Sequence, residues 1–332
     1  MRKKLLLVGP KLTNDTQTIG GTTILMDFFE KYLKKNHIEY KLIESNKYRG
    51  EALNFLYIFA KVLTNIARYD IIIGNAALNF LRYVSPLLVI LAKLFKKKYV
   101  LRKFGGSLDL VYRNANWLER KTYDFTFCKS DLIFAETLLI KEFLEIKFAT
   151  CVEWFPNCRE RQKLQKKNFQ KRFVFLSQVK EEKGVFEILK VNTLDDISID
   201  IYGPIHDKNI KLDVYYKGVV DPKDVISKLS EYDVLVLPTY WHGEGYPGII
   251  LEALSLGIPV VSTNHRAIPE IIDDGSNGFL IDPKNHSELY EAMMKFSPDN
   301  YQNYSAHAYD KFNKFYDTNY VHKNILETLE KL

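Results

Sequence analysis

The sequence predicts an α/β protein built as two consecutive domains, each a doubly wound parallel sheet with helices on both faces. Three observations lead there. Short apolar runs of strand length alternate with helical patterns along the whole chain, the rhythm of βαβ units. The 332 residues exceed what one ordinary domain holds, and the rhythm pauses once, at the polar stretch "PNCRERQKLQKKNFQKR" (156–172). Charge divides at the same place. Residues 1–170 carry 30 Lys and Arg against 16 Asp and Glu, and residues 171–332 carry 17 against 25, so the net charge of +6 hides a basic half and an acidic half. The expected divisions are a first domain over 1–157, a linker over 158–172, a second domain over 173–310, and a terminal helix over 311–332 packing back toward the first domain. Two such domains would face one another across a cleft, with ligands at the carboxyl ends of the strands.

The opening "MRKKLLLVGPKL" joins a basic head to a short apolar run. A secretory leader needs a longer run and a small-residue cleavage site, so residues 4–9 are read as the first strand. A helix follows from about Thr22 to Lys35, with Ile24, Leu25, Phe28, Phe29 and Leu33 on one face. "YKLI" (40–43), "DIIIG" (70–74), "KYVLRK" (98–103), "DLIFA" (131–135) and "TCVEW" (150–154) are the next strands. A second series runs "FVFLSQ" (173–178), "ISIDIYG" (197–203), "VYYKG" (214–218), "DVLVLPT" (233–239), "IPVVST" (258–263) and "GFLI" (278–281). The longest apolar run, "LLVILAKLF" (87–95), is broken by Lys93 and too short to span a bilayer. Cys128, Cys151 and Cys158 show no zinc-ligand spacing and fit a reducing compartment.

The chemistry concentrates in "LPTYWHGEGYPGIILEALSLGIPVVST" (237–263). A strand ends, a glycine-rich turn follows, and a helix begins near Pro247 and stops at Gly257. Exposed N–H groups and the positive end of the helix dipole make such a turn a phosphate site. Gly243, Gly245 and Gly248 spell a dinucleotide fingerprint, but it comes late in its domain and the next strand ends in Ser262, Thr263 and Asn264 with no acid for a ribose. Glu244 stands in the turn. Glu252 lies about one turn into the helix, with a side chain that leans back toward the N-terminus. Either the pair binds a ligand, or Glu252 is a solvated helix residue and Glu244 a charge near the dipole.

The stretch "HGEGYPGIILEALSLGIPVVST", followed by "AIPEIIDDGSNGFLIDP", resembles the donor-site region of the retaining glycosyltransferases of family four, which have two Rossmann-like domains in the GT-B architecture. The E-x7-E pair carries the resemblance together with the helix, strand and tail that follow it. It implies that Glu244 contacts a donor sugar, that Glu252 binds the nucleotide ribose, and that the backbone at Gly245, Tyr246, Pro247 and Gly248 receives the diphosphate. In "FLSQVKEEKGV" (175–185), Lys183 matches a diphosphate-binding lysine of the family, while Gln178 stands where an arginine is usual. An amide donates a hydrogen bond but does not neutralise charge, so Lys180 or another cation would have to substitute. Gly20 and Gly21 match the family's glycine pair before the first helix. Phe104, Gly105 and Gly106 stand where many members have a sugar-binding histidine. Arg102 and Lys103 either face an acceptor phosphate or are solvated, and His242 either serves sugar or acceptor or is incidental.

The resemblance implies a first domain for the acceptor, a second for a nucleotide-diphosphate sugar, and transfer to a hydroxyl without a metal or other cofactor. Transfer on one face is favoured, with the departing phosphate oxygen taking the acceptor proton and Lys183 stabilising the leaving group. The acceptor would be a glycan on a lipid-diphosphate carrier in surface polysaccharide synthesis such as capsule or O-antigen. The location would be cytoplasmic, at the inner face of the cytoplasmic membrane. The lysine-bearing stretches 54–69 and 87–103 are either buried elements with snorkelling lysines or a face that touches anionic lipid. No nucleic-acid motif is present. Two other readings stand beside this one: a nucleotide-sugar epimerase, and a catalytically silent GT-B protein that binds nucleotide.

Overall fold

The computed structural model describes residues 2–12, 21–48, 50–164, 167–194, 196–207, 210, 212 and 214–332. The chain divides into two compact units, residues 1–157 with 321–332, and residues 158–320.

The first unit runs β1 (Leu5–Gly9), α1 (Gly21–Lys35), β2 (Tyr40–Glu44), α2 (Glu51–Asn65), β3 (Ile71–Ala76), α3 (Ser85–Leu94), β4 (Lys98–Lys103), α4 (Leu108–Asn114), α5 (Trp117–Lys129), β5 (Leu132–Ala135), α6 (Leu138–Phe148) and β6 (Val152–Trp154). Its six strands are parallel in the order β2-β1-β3-β4-β5-β6. Helices cover both faces, so the central strands read as continuous apolar runs rather than alternating ones. Leu5–Val8 and Ile71–Ile73 are all buried. Local signals fix the helix starts. Asn116 and Glu119 form a reciprocal capping box on α5, and the Thr137 hydroxyl accepts from the Ile140 amide at the start of α6.

The second unit runs β7 (Phe173–Leu176), α7 (Val185–Val191), β8 (Ile199–Tyr202), β9 (Tyr216–Gly218), α8 (Val225–Leu229), β10 (Val234–Leu237), α9 (Gly248–Ser255), β11 (Val260–Thr263), α10 (Ile268–Ile271), β12 (Gly278–Ile281), α11 (His286–Met294) and α12 (Tyr301–Phe315). Its sheet is parallel in the order β12-β11-β10-β7-β8-β9. The chain winds outward from β7 and returns to place β10 on the other side of it. That reversal lies at the carboxyl ends of β7 and β10, the place where sheets of this kind bind ligands.

Each strand lies within, or within one or two residues of, an apolar run that the sequence marks. The tail differs. In place of one helix over 311–332, α12 ends at Phe315, and α13 (Thr318–Glu330) begins after a break at Tyr316–Asp317. The polar stretch after Asn157 is tied into the second unit. The Arg159 amide donates to the Tyr316 carbonyl at 3.0 Å, and the Thr318 amide donates to the Arg159 carbonyl at 2.9 Å. Gln170 and Arg172 amides both donate to the buried Asp233 carboxylate, at 2.9 and 3.0 Å. Its polarity therefore reflects specific partners, not chain freedom.

Candidate functional site

The loops after β7 and β10 meet at the switch point of the second sheet. The loop after β7 closes in a single tight turn, Glu181–Lys183, and Gly184 follows with φ of 79°. A Cβ at Gly184 would overlap the Pro238 carbonyl, so the two loops press together only because residue 184 has no side chain. This approach delivers Lys183 to Glu244. Lys183 Nζ lies 2.5 Å from Glu244 Oε2, and the two side chains are 10% and 5% exposed. The Thr239 hydroxyl donates to the same carboxylate oxygen at 2.7 Å, and the Glu244 amide donates to the Trp241 carbonyl at 3.0 Å. The Trp241 ring lies 4.9 Å from Lys183 Nζ and 4.8 Å from Lys180 Nζ. The negative face of the indole thus gathers two cations at one loop.

The helix that follows offers the second half of the site. α9 begins at Gly248, with Pro247 before it and no side-chain cap. Its first N–H groups and dipole are left to an anion. The side chain of Tyr246 points away from that turn. It is buried, donates its hydroxyl to Glu270 and packs edge-on against Tyr316. Gly245, Tyr246 and Pro247 are buried and Gly248 is half-buried, so this turn offers backbone rather than side chains. Glu252 does not stand alone on the helix. Its Oε1 receives Arg159 Nε at 2.7 Å, with the two side chains 22% and 10% exposed.

The fold thus joins Lys183 to Glu244 directly and sets Gly245, Tyr246, Pro247, Gly248 and Glu252 on the adjoining turn and helix. Gln178 lies in the same loop as Lys183 but is exposed, as is His242, whose ring is 6.2 Å from that of Trp241. His265, unmarked in the sequence, sets Nε2 3.3 Å from the Trp241 carbonyl, and burial lowers its pKa. Arg159, Thr239 and Trp241 were missed. Arg159 hides in the stretch read as a linker. Thr239 and Trp241 carry a positional signal, the end of an apolar strand beside a glycine turn.

The first unit departs further from expectation. Arg102 and Lys103 are not solvated. Both are buried in β4. The Arg102 guanidinium lies 3.5 Å from the centre of the Phe155 ring and 4.6 Å from that of Phe104. Lys103 donates to the Phe104 carbonyl, and burial lowers its pKa to about 8, against the opposing pull of Glu136. Gly105 takes φ of 83° and donates its amide to Glu136 Oε2 at 2.8 Å, while Gly106 is buried. Gly21 is exposed at the first position of α1, and Gly20 lies outside the described residues.

Two helices of this unit expose apolar side chains. On α2, Leu53 and Leu56 are 59% and 61% exposed, with Phe59, Leu63 and Lys61 also exposed. Leu56 and the exposed Tyr83 help line a cavity of about 690 Å³ with Phe55, Ile58, Phe80 and Val84. On α3, Ile90, Leu94 and Lys93 are exposed. No helix among the described residues is long and apolar enough to cross a membrane. Among the same residues, no group of three or more His, Cys, Asp or Glu is placed to hold a metal ion.

Residues 157–313 match a family model described as "Glycosyl transferases group 1". A protein of Klebsiella pneumoniae named "Uncharacterized 41.2 kDa protein in cps region" is 26% identical over 246 residues, covering 71% of this chain and 64% of that protein. The "Putative colanic acid biosynthesis glycosyltransferase WcaL" of Salmonella typhimurium is 36% identical over 84 residues, 24% of this chain and 21% of the relative. The chain spans less than two thirds of the length of either. Among solved structures, Anabaena Alr3699/HepE in complex with UDP superposes with a TM-score of 0.72 at 15% identity, covering 99% of this chain and 100% of the other. Sucrose-phosphate synthase from Thermosynechococcus elongatus superposes with a TM-score of 0.77 at 10% identity, covering 99% of each chain. At such identities the likeness establishes the fold, the two Rossmann-like domains of GT-B proteins.

Proposed function

We propose that this chain is a retaining glycosyltransferase that moves a sugar from a nucleotide-diphosphate sugar to a hydroxyl of a glycan acceptor. One observation carries the reading: a buried Lys183–Glu244 pair sits in the turn that leads into the uncapped start of α9, with Glu252 about one turn into the helix. A diphosphate needs fixed positive charge, and a sugar and a ribose need acceptors for their hydroxyls. Lys183 and the N–H groups of Gly245, Tyr246 and Gly248 meet the first need, and Lys180, held beside Lys183 at Trp241, adds the cation that Gln178 lacks. Glu244 serves the donor sugar and Glu252 the ribose.

In this mechanism the bond from the sugar carbon to the diphosphate oxygen breaks as the acceptor oxygen adds on the same face. The acceptor proton passes to the departing phosphate oxygen. Fixed cations and the helix N-terminus stabilise the charge that builds on the leaving group, which is an electrostatic contribution and requires no metal. One relative named for a cps region and one named for colanic acid biosynthesis support a role in surface polysaccharide synthesis. The complexes of HepE with UDP and with UDP-glucose make uridine nucleotides the first to try. The apolar cavity and the outer face of α2, which carries Lys61, suit an acceptor on a lipid-diphosphate carrier and contact with the anionic cytoplasmic leaflet.

The test is thermal stability against UDP, GDP, ADP and their common sugar conjugates. A ligand at a hundred times its Kd stabilises by about 2.7 kcal/mol. We expect a rise of several degrees with one nucleotide, abolished in Glu252→Ala, and release of that nucleotide when its sugar conjugate and an acceptor are supplied. Binding without turnover would support the silent reading. No shift at several millimolar would sink the donor site.

A further inference from the structure

We infer that Arg159 is a positioning residue for nucleoside recognition, holding the Glu252 carboxylate in the one orientation that accepts both hydroxyls of a ribose. The inference rests on the ribose role proposed for Glu252.

Four observations carry it. Arg159 Nε lies 2.7 Å from Glu252 Oε1, and the arginine side chain is 10% exposed against 22% for the glutamate. The carboxylate is thus the member of the pair that a ligand reaches, and the guanidinium stands behind it. Arg159 is also fixed. Its amide and carbonyl are both used, by the Tyr316 carbonyl and the Thr318 amide, and its Nη1 donates to the Cys158 carbonyl at 2.9 Å. Next, the first residue of α9 is glycine where the guanidinium passes. A Cβ on Gly248 would overlap Arg159 Nη2. The glycine that lets a phosphate approach the helix on one side therefore also admits the arginine on the other. Last, a carboxylate offers about four lone-pair positions. Arg159 Nε occupies one at Oε1, which leaves enough for a vicinal diol. A glutamate on a helix otherwise samples several rotamers, and ordering it for a ligand costs affinity.

The role predicts a specific signature. Without Arg159 the site keeps its phosphate contacts but loses discrimination between a nucleotide that has the diol and one that lacks it. The experiment is calorimetric titration of the full chain with UDP and 2′,3′-dideoxy-UDP, or with the corresponding GDP or ADP pair where the unmodified protein binds that base. Hydrogen bonds to a charged group correspond to a preference of about tenfold to a hundredfold for the ribonucleotide in the unmodified protein. In Arg159→Met we expect that preference to fall below about threefold, through loss of affinity for the ribonucleotide alone. Gly248→Ala should lower the preference as well, because its methyl displaces the guanidinium, and any change in the diphosphate contacts falls on both nucleotides alike and drops out of the ratio. Arg159→Lys, which keeps the charge without the planar fork, should fall between. The last two variants carry the test where Arg159→Met does not fold. A purely structural Arg159 would weaken both nucleotides equally and leave the preference intact, and that result overturns the inference while leaving the donor reading standing. If the unmodified protein binds none of the three nucleoside diphosphates, the donor reading fails and this inference fails with it. If it binds one without ribose preference, the role of Glu252 is wrong and Arg159 has nothing to position.

Discussion

The carboxyl edges of the two sheets use cations in opposite ways. Each sheet is parallel, six-stranded and doubly wound, and each ends strands in basic residues or follows them with such residues. In the second unit Lys180 and Lys183 stand in the loop past β7, where one pairs with Glu244 and both lie over Trp241. In the first unit Arg102 and Lys103 are the last residues of β4 itself, buried against Phe155 and Phe104 and near Glu136. On the function proposed above, a cation in the loop past a strand serves a ligand, whereas a cation inside the strand is spent on the core.

The sharpest way to break this contrast is to remove the cation in the loop. Lys183→Met should lower turnover of a sugar nucleotide by about 100- to 1000-fold, the usual effect of losing one preorganised donor to a developing negative charge. It should also destabilise the protein by about 3–5 kcal/mol, because Glu244 is left buried and uncompensated. The double variant Lys183→Met with Glu244→Gln should regain most of the stability and none of the turnover. Recovery of both in the double variant, read by urea unfolding and nucleotide release, would make the pair structural.

In the first unit the corresponding test is a pH dependence. Burial lowers the pKa of Lys103 to about 8 from the ordinary 10.5. Between those values the unfolded chain holds a proton that the folded one has released, so unfolding takes up a proton and stability rises with pH. Relative to Lys103→Met, the unmodified protein should gain up to about 3 kcal/mol between pH 8 and 10.5. Below pH 8 the difference should be flat. Urea midpoints that run parallel for the two proteins across that window would show that Lys103 is hydrated, and the contrast between the edges would be lost.

Gly184 sharpens the comparison from the side of the backbone. With φ of 79° and the Pro238 carbonyl where a Cβ would go, Gly184→Ala should cost about 2 kcal/mol and pull Lys183 away from Glu244. The lowered melting temperature should therefore come with weaker nucleotide binding. Stability lost without any change in nucleotide affinity would separate the glycine from the site.

The strands were legible because a parallel sheet covered on both faces leaves uninterrupted apolar runs such as Ile71–Ile73, which need no knowledge of distant partners. The glycine turn and Glu244 stood out by a local pattern, a helix N-terminus after a strand, whereas Lys183 was marked only by the family resemblance, and it is the fold that brings it to Glu244. Arg159 was not, because its meaning lies 93 residues away at Glu252. A basic residue among other basic residues reads as solvated until the fold supplies its partner. Arg102 failed in the same way. The rings of Phe104 and Phe155 that bury it lie just past the ends of different strands, and the sequence offered for it only an acceptor phosphate or solvent. For the stretch that contains most of α2 the sequence left two readings open, buried elements or a lipid-touching face; Leu53 and Leu56 remain in solvent, and only the fold tells which stripe is covered.

That face gives the smallest expected effect on stability and the clearest separation of surface from core. Leu53 and Leu56 are well over half exposed, so replacing both with glutamate should change the unfolding free energy by no more than about 0.5 kcal/mol for each. The consequence should appear at lipid instead. An apolar side chain placed among acyl chains contributes about 0.8 kcal/mol per buried CH₂, and each lysine near an anionic surface about 1 kcal/mol. The unmodified protein should therefore sediment with vesicles containing phosphatidylglycerol and be released by salt, while the double variant stays in the supernatant with an unchanged melting temperature. Neutral phosphatidylcholine vesicles should retain less of the unmodified protein, because Lys61 and Lys93 then have no partner charge. If the variant sediments as well as the unmodified protein, α2 is not the lipid-facing element. The exposed residues of α3 then become the next surface to change, with Ile90 and Leu94 the residues to replace.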